Sequence, residues 1–212
     1  MGVNSIAKSL AEAWTPVWQK PSPCLADRSS FLEDYKKFVP TIQRFTIEDV
    51  IKVTSKARSS SPGPDGIQFS IYRDLIDVVA PALLCLIIHL SAGSKTNRSF
   101  NFCNLFFLPK DDTRLPRSHR PIAVSNTDNR IIANIVRLRI SPSILEILDK
   151  SQKAFTPEGD TYENIAFFNH KFLTALEEGS DYHMLFHDFT AAYDSISRDF
   201  MFQLLERIGI QK

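Results

Sequence analysis

Little in this sequence serves crosslinking, membrane spanning or secretion. Three cysteines, Cys24, Cys85 and Cys103, stand far apart in 212 residues, with no Cys-x-x-Cys or Cys/His cluster. Their odd number and spacing argue against a disulfide framework and a zinc site, and fit reduced thiols inside a cell. No apolar run approaches a bilayer's thickness. The longest, Val78 to Ile88, has 11 residues and contains Pro81, against roughly 20 for a spanning helix. It reads as a buried helix. The start "MGVNSIAKSL" lacks an apolar signal core, and Ile6 stands where a myristoylation motif requires Ser or Thr. The expectation is an intracellular chain, nuclear or cytoplasmic, not secreted and without a membrane partner. Internal repeats and low-complexity tracts are also absent.

Net charge is nearly absent too, at +1, so the total says nothing of a polyanionic partner. Its distribution says more. Between Lys110 and Arg139 lie seven basic residues against Asp111, Asp112 and Asp128. From Glu158 to Asp199 nine acids face only Lys171 and Arg198. A basic segment followed by an acidic one suits phosphates and metal ions in turn, or two solvated faces of opposite sign.

What is present is a helix-rich α+β pattern. Residues 3–20 carry Ile6, Leu10, Ala13, Trp14 and Val17 along one side of a helix. Lys20 to Ser30, with two prolines, reads as a linker. Thr46-Ile47-Glu48-Asp49 resembles a capping box opening a helix to about Arg58. "SSSPGPDGI", Ser59 to Ile67, is a turn, and a long helix follows to Leu90, interrupted at Pro81 if anywhere. Phe100 to Lys110 reads as a buried strand, with Pro121 to Val124 as its hairpin partner across a charged loop. Asn126 to Leu148 is helical with Ile131, Ile135, Val136 and Leu138 near one face. Thr161 to Glu178 is a second helix, and Ser197 caps a last one to Ile208.

"LFHDFTAAYDS", Leu185 to Ser195, places an acid where an apolar run ends. If Met184 to Phe189 is a strand, Asp188 points with Phe186 and away from His187, which then reads as a core histidine. An acid closing a strand beside a turn can meet a cation, or cap the turn. Small Ala191 and Ala192 leave their amides open to an anion. Tyr193 would wall the pocket or join the core. Asp194 reads as a turn cap.

Four stretches then carry a family resemblance, in order. They are "SSPGPDGI", "FFLPKDDTRLPRSHRPIAVSNTDNRIIANIVRLRI", "SQKAFTPEGDTYENI" and "MLFHDFTAAYDSI". Together they resemble the reverse transcriptases of non-LTR (LINE-like) retrotransposons over roughly Thr46 to Ile210. The resemblance implies right-hand polymerase fingers with an incomplete palm. Residues 1–45 would be a helical extension and linker, 46–180 the fingers-like region, and 181–212 the start of the palm. Asp188 would be catalytic and, with the Phe189 carbonyl, would ligate magnesium, two ions in the complete enzyme. The Ala191 and Ala192 amides would face a deoxynucleoside triphosphate, Tyr193 would reject a 2′-hydroxyl, and Lys110 and Arg120 would grip phosphates. The partners implied are an RNA template and a DNA primer.

The sequence also departs from the family. Glu158-Gly159-Asp160 stands where relatives carry Gly-Arg, and no aromatic-x-Asp-Asp tetrapeptide occurs. The expectation is therefore a polymerase portion inactive by itself. The alternative is a fragment that only binds RNA. A phosphatase of the haloacid dehalogenase kind is disfavoured because Thr190 stands where it needs a second acid.

Overall fold

The computed structural model describes residues 3–19, 44–113, 115–156, 159–181, 183–189 and 192–210. The expected linker and Cys24 lie outside them. The chain divides into two compact units, residues 1–140 with 192–212, and residues 141–191.

In the first unit, α1 (Val3–Trp18) is the expected amphipathic helix. α2 (Ile47–Lys56) opens on the capping box the sequence suggested. Thr46 Oγ1 accepts from the Asp49 N–H at 3.3 Å, and the Asp49 carboxylate accepts from the Thr46 N–H at 2.8 Å. Two of the helix's unbonded N-terminal donors are thereby satisfied.

Helix α3 (Phe69–Asp74) and α4 (Ile76–Ser91) form the long apolar stretch. The break falls at Leu75, with φ −109° and ψ 27°, and not at Pro81. Pro81 and Asp77 are both exposed, so the carbonyl that proline leaves unbonded can be hydrated and the helix continues. Nor is α4 buried throughout. Ala80, Leu83 and Ile87 face the core, while Val78 is 74% and Ile88 53% exposed.

A 3-10 turn (Arg98–Asn101) precedes β1 (Cys103–Pro109), which pairs antiparallel with β2 (His119–Ser125). The strand starts three residues later than the sequence suggested, and it is not buried: Leu105, Phe106 and Leu108 are 40–51% exposed. Pro121 is accommodated opposite Phe107, since each strand of a two-stranded ribbon has an open edge.

The long α5 (Thr127–Ile147) enters the second unit at Ser141. Its first half supplies Ile131, Ile132 and Ile135 to a core shared with Val50, Val53, Phe69 and α4. Val136 packs against the same core, but Leu138 is 44% exposed, so the expected apolar face ends at Val136. The second unit holds α6 (Thr161–Glu177), capped by Asp160. Back in the first unit are the short α7 (Ala192–Ser195) and α8 (Arg198–Arg207), the latter capped by Ser197 as expected. Among the described residues no helix is long and apolar enough to cross a membrane.

Candidate functional site

Three places carry the residues singled out by the sequence. The first is the hairpin. Its register sets Arg120 opposite Leu108 and His119 opposite Pro109, and the Lys110 N–H donates to the Ser118 carbonyl at 2.7 Å. Lys110 and Arg120 therefore stand at the same end of the ribbon, both exposed. Asp111 organises the connecting loop. It accepts from the Thr113 hydroxyl and, at 3.0 Å, from the Thr113 N–H. Those bonds hold its carboxyl below the ordinary carboxylate range. The loop is also bound from outside, since the Trp14 indole donates to the Pro116 carbonyl at 3.1 Å.

The second place is a junction between the Gly63-Pro64-Asp65-Gly66 turn and the start of α5. The turn closes with the Gly66 N–H donating to the Gly63 carbonyl at 3.1 Å, and Gly66 has φ +74°. Gly63 is pressed against Asn126, where a Cβ would meet side-chain and backbone atoms at 2.4–2.6 Å. Asn126 Oδ1 accepts from the Asp65 N–H at 3.3 Å, and the Thr127 hydroxyl donates to the Ile67 carbonyl at 2.5 Å. Arg130 completes the junction. It donates to the Ser60 hydroxyl and the Ser61 carbonyl, each at 2.9 Å, with its guanidinium 4.9 Å from the Phe69 ring centre. Charge collects here as well. Burial pushes the Asp128 carboxyl up, opposed by the Asn129 N–H and reinforced by Asp65. Burial, with these two acids, pushes Tyr72 up to about 12.

Arg130 and Arg139 belong to the basic segment that the sequence offered either to phosphates or to solvent. Both are half-buried and bonded within the protein. Arg139 forms an ion pair with Asp49, the acid of the α2 capping box, through Nη2 and through Nε at 3.2 Å. Burial pushes the Asp49 carboxyl up, but the bonds from Arg139 and Thr46 outweigh it and hold the group below its ordinary value. These links span 60 to 90 residues. Their only sequence signal is a basic residue recurring inside an apolar helical pattern.

The third place is residues 183–189, in the second unit. The expected buried strand is not formed. Among the described residues the only sheet is β1–β2, so Met184 to Phe189 has no ladder to join. Leu185, Phe186 and Phe189 are 75–79% exposed, and His187 is exposed rather than a core histidine. Asp188 is exposed as well. Phe186 meets Phe168 of α6 edge to face, with ring centres 6.0 Å apart. Ala191 lies outside the described residues. Ala192 and Tyr193 belong to α7, with Tyr193 74% exposed. Asp194, expected as a turn cap, accepts from the Trp18 indole at 3.0 Å. Trp18 in turn stacks on Trp14 with ring centres 5.9 Å apart.

A magnesium pair needs several oxygen ligands, mostly carboxylates. Among the described residues no three His, Cys, Asp or Glu side chains come together as a metal-holding group. Asp188 and the Phe189 carbonyl supply too little by themselves. The described residues thus do not fit a two-ion centre, and no catalytic step follows from them.

No family model matches the chain. It is 23% identical over 149 residues, 70% of its length, to the transposon TX1 uncharacterized 149 kDa protein of Xenopus laevis. It is 24% identical over 200 residues, 94% of its length, to the retrovirus-related Pol polyprotein from the type-2 retrotransposable element R2DM of Drosophila melanogaster. The chain is retrotransposon-related. The matched stretches make up 11% and 18% of those two proteins, so the chain spans less than a fifth of either.

Proposed function

We propose that this chain is the fingers and the first palm segment of a reverse transcriptase of the non-LTR retrotransposon kind. In this reading residues 46–180 are fingers-like and 181–212 begin the palm. Lys110 and Arg120 grip the phosphates of a deoxynucleoside triphosphate, and the Ala191 and Ala192 amides face it. Tyr193 tests its sugar. Asp188 and the Phe189 carbonyl contribute to a magnesium centre whose other acids are not among the described residues. The partners are an RNA template and a DNA primer.

One observation carries the reading: an antiparallel hairpin sets Lys110 and Arg120, ten residues apart in sequence, at one exposed end. Two exposed cations at one end of a ribbon suit phosphate. The similarity to a Pol polyprotein along 94% of the chain supports it.

Equilibrium binding of a deoxynucleoside triphosphate, with a primed RNA template and magnesium present, tests it. Lys110→Ala and Arg120→Ala should each weaken nucleotide binding several-fold. Unchanged nucleotide affinity in both variants would refute the assignment.

A second reading, RNA binding without catalysis, is favoured by the lack of a metal-holding group among the described residues. Salt-sensitive RNA binding that Lys110→Ala and Arg120→Ala weaken, with nucleotide binding absent, is the result this second reading expects. Primer extension by the 212-residue chain, abolished by Asp188→Asn, would exclude it and would also overturn the expectation that this portion is inactive by itself.

A further inference from the structure

Between α2 and α3 the chain runs through Ser59, Ser60 and Ser61, all exposed and in neither helix nor strand. Arginines from two different helices reach this run. Arg130 of α5 donates through Nη1 to the Ser60 hydroxyl and through Nη2 to the Ser61 carbonyl, each at 2.9 Å. Arg73 of α3 donates through Nη2 to the Ser59 hydroxyl at 3.2 Å and through Nη1 to the Ala57 carbonyl at 3.3 Å.

Both arginines are half-buried. A cation drawn partly out of water is ordinarily matched by an anion. Among the described residues neither guanidinium forms an ion pair with a carboxylate, and the buried Arg130 Nε has no acceptor at all. Two positive charges therefore converge on three serines and find only neutral oxygens there.

We propose that Ser60 is a phosphorylation site and Arg130 the receptor for its phosphate. A protein kinase supplies the group from a nucleoside triphosphate. The Ser60 oxygen bonds the terminal phosphorus, the bond from that phosphorus to the diphosphate breaks, and the hydroxyl proton passes to a base of the kinase. The ester adds a charge of about −1.5 to −2 and three acceptor oxygens, on the atom that Arg130 already addresses. A planar guanidinium pairs with phosphate through two parallel bonds. Modification thus exchanges a neutral hydrogen bond for an ionic one and fastens the Gly-Pro-Asp-Gly turn more firmly to α5.

A free anion is less well served. Ser60 and Ser61 already occupy Nη1 and Nη2 of Arg130, so an incoming phosphate must displace both. A phosphate carried on the Ser60 oxygen arrives tethered. The inference is independent of the polymerase reading.

Placing phosphoserine at position 60 of the full chain during translation tests the receptor. The unfolding midpoint should rise by about 2–6 °C over the unmodified chain. In an Arg130→Gln background the same comparison should show no rise, and any stability lost to that substitution cancels within the background. Arg130→Lys, which keeps the charge and loses the fork, should retain part of it. By phosphorus NMR the second pKa of the ester, about 6 when free, should fall by about half a unit and return with Arg130→Gln.

Access is tested by treating the unmodified chain with a serine kinase that selects basic residues before its target, here Lys56 and Arg58. Mass spectrometry should find phosphate on Ser60. Phosphate on other serines alone, or on none, would overturn the proposal. So would a midpoint that stays or falls on modification, the latter meaning that Asp65 and Asp128 of the same junction repel the ester more than Arg130 attracts it. A rise that survives Arg130→Gln, or one that inorganic phosphate reproduces on the unmodified chain, would overturn it equally.

Discussion

The junction at the Gly-Pro-Asp-Gly turn and the stretch 183–189 each carry part of the same resemblance, yet they are built in opposite ways. At the junction several polar side chains bond within the protein, although the buried Arg130 Nε has no hydrogen-bond partner among the described residues. Asn126 bonds the Asp65 N–H, Thr127 bonds Ile67, and Arg130 bonds Ser60 and Ser61. The stretch with Asp188 shows most of its side chains to solvent, with Leu185, Phe186 and Phe189 all at least 75% exposed. The difference separates two meanings of a motif. The first holds its own fold together. The second has surface to give to something else, whether nucleotide, metal or further protein.

That contrast can be broken from the buried side first. Ile135 is 1% exposed in the core between α4 and α5. Ile135→Ala should remove about 3 kcal/mol of stability, part transfer and part cavity, read from urea or thermal unfolding. Gly63→Ala is a harsher test of the junction than its size suggests. The added methyl would lie 2.4–2.6 Å from Asn126 atoms, well inside van der Waals contact, so either the turn or the start of α5 must move. A loss of about 2–3 kcal/mol is expected. A Gly63→Ala chain as stable as the parent would mean that the junction is looser than its geometry states.

Why one region was legible in the sequence and the other was not follows from how each is stabilised. The α2 capping box, the hairpin, the Ser197 cap and the span of α6 rest on neighbours within a few residues, and all four could be read from spacing. The placement of Arg130 and Arg139 could not, because their partners lie 60 to 90 residues away and only the fold brings them near. The strand expected at Met184 to Phe189 failed for a related reason. An apolar run becomes a strand only beside another strand, and alternation within the run says nothing of whether one is present. Likewise the break at Leu75 rather than Pro81 depended on which face of α4 met the core. As for the site, Lys110 and Arg120 were readable as a pair once the hairpin was. The grouping of Asp188 with other acids was not readable from one carboxylate.

The ion pair of Asp49 with Arg139 sharpens the comparison through pH. Asp49→Ala should cost about 2 kcal/mol at neutral pH, between a lost helix cap and a broken half-buried pair. The folded-state pKa of Asp49 lies below its ordinary value of 3.8. Its contribution is therefore complete above that value and fades as the pH falls beneath it. The gap between parent and variant should narrow as unfolding is repeated from about pH 5 down to about pH 3. A gap that widened on acidification would reverse the sign of the shift and break the assignment.

The smallest effect is the most telling. Asp188 is exposed and makes no described bond that the fold relies on, so Asp188→Asn should change stability by no more than about 0.5 kcal/mol. The same substitution at Asp49 or Asp65 removes charge from groups the first unit is built around. If Asp188→Asn does lower the unfolding midpoint by several degrees, the carboxylate is part of a structural network and the contrast between the two regions collapses. If it leaves stability untouched, the acid at the end of "LFHDF" has no structural employment in this chain, and a functional one becomes the economical account of why a carboxylate stands among such large apolar neighbours.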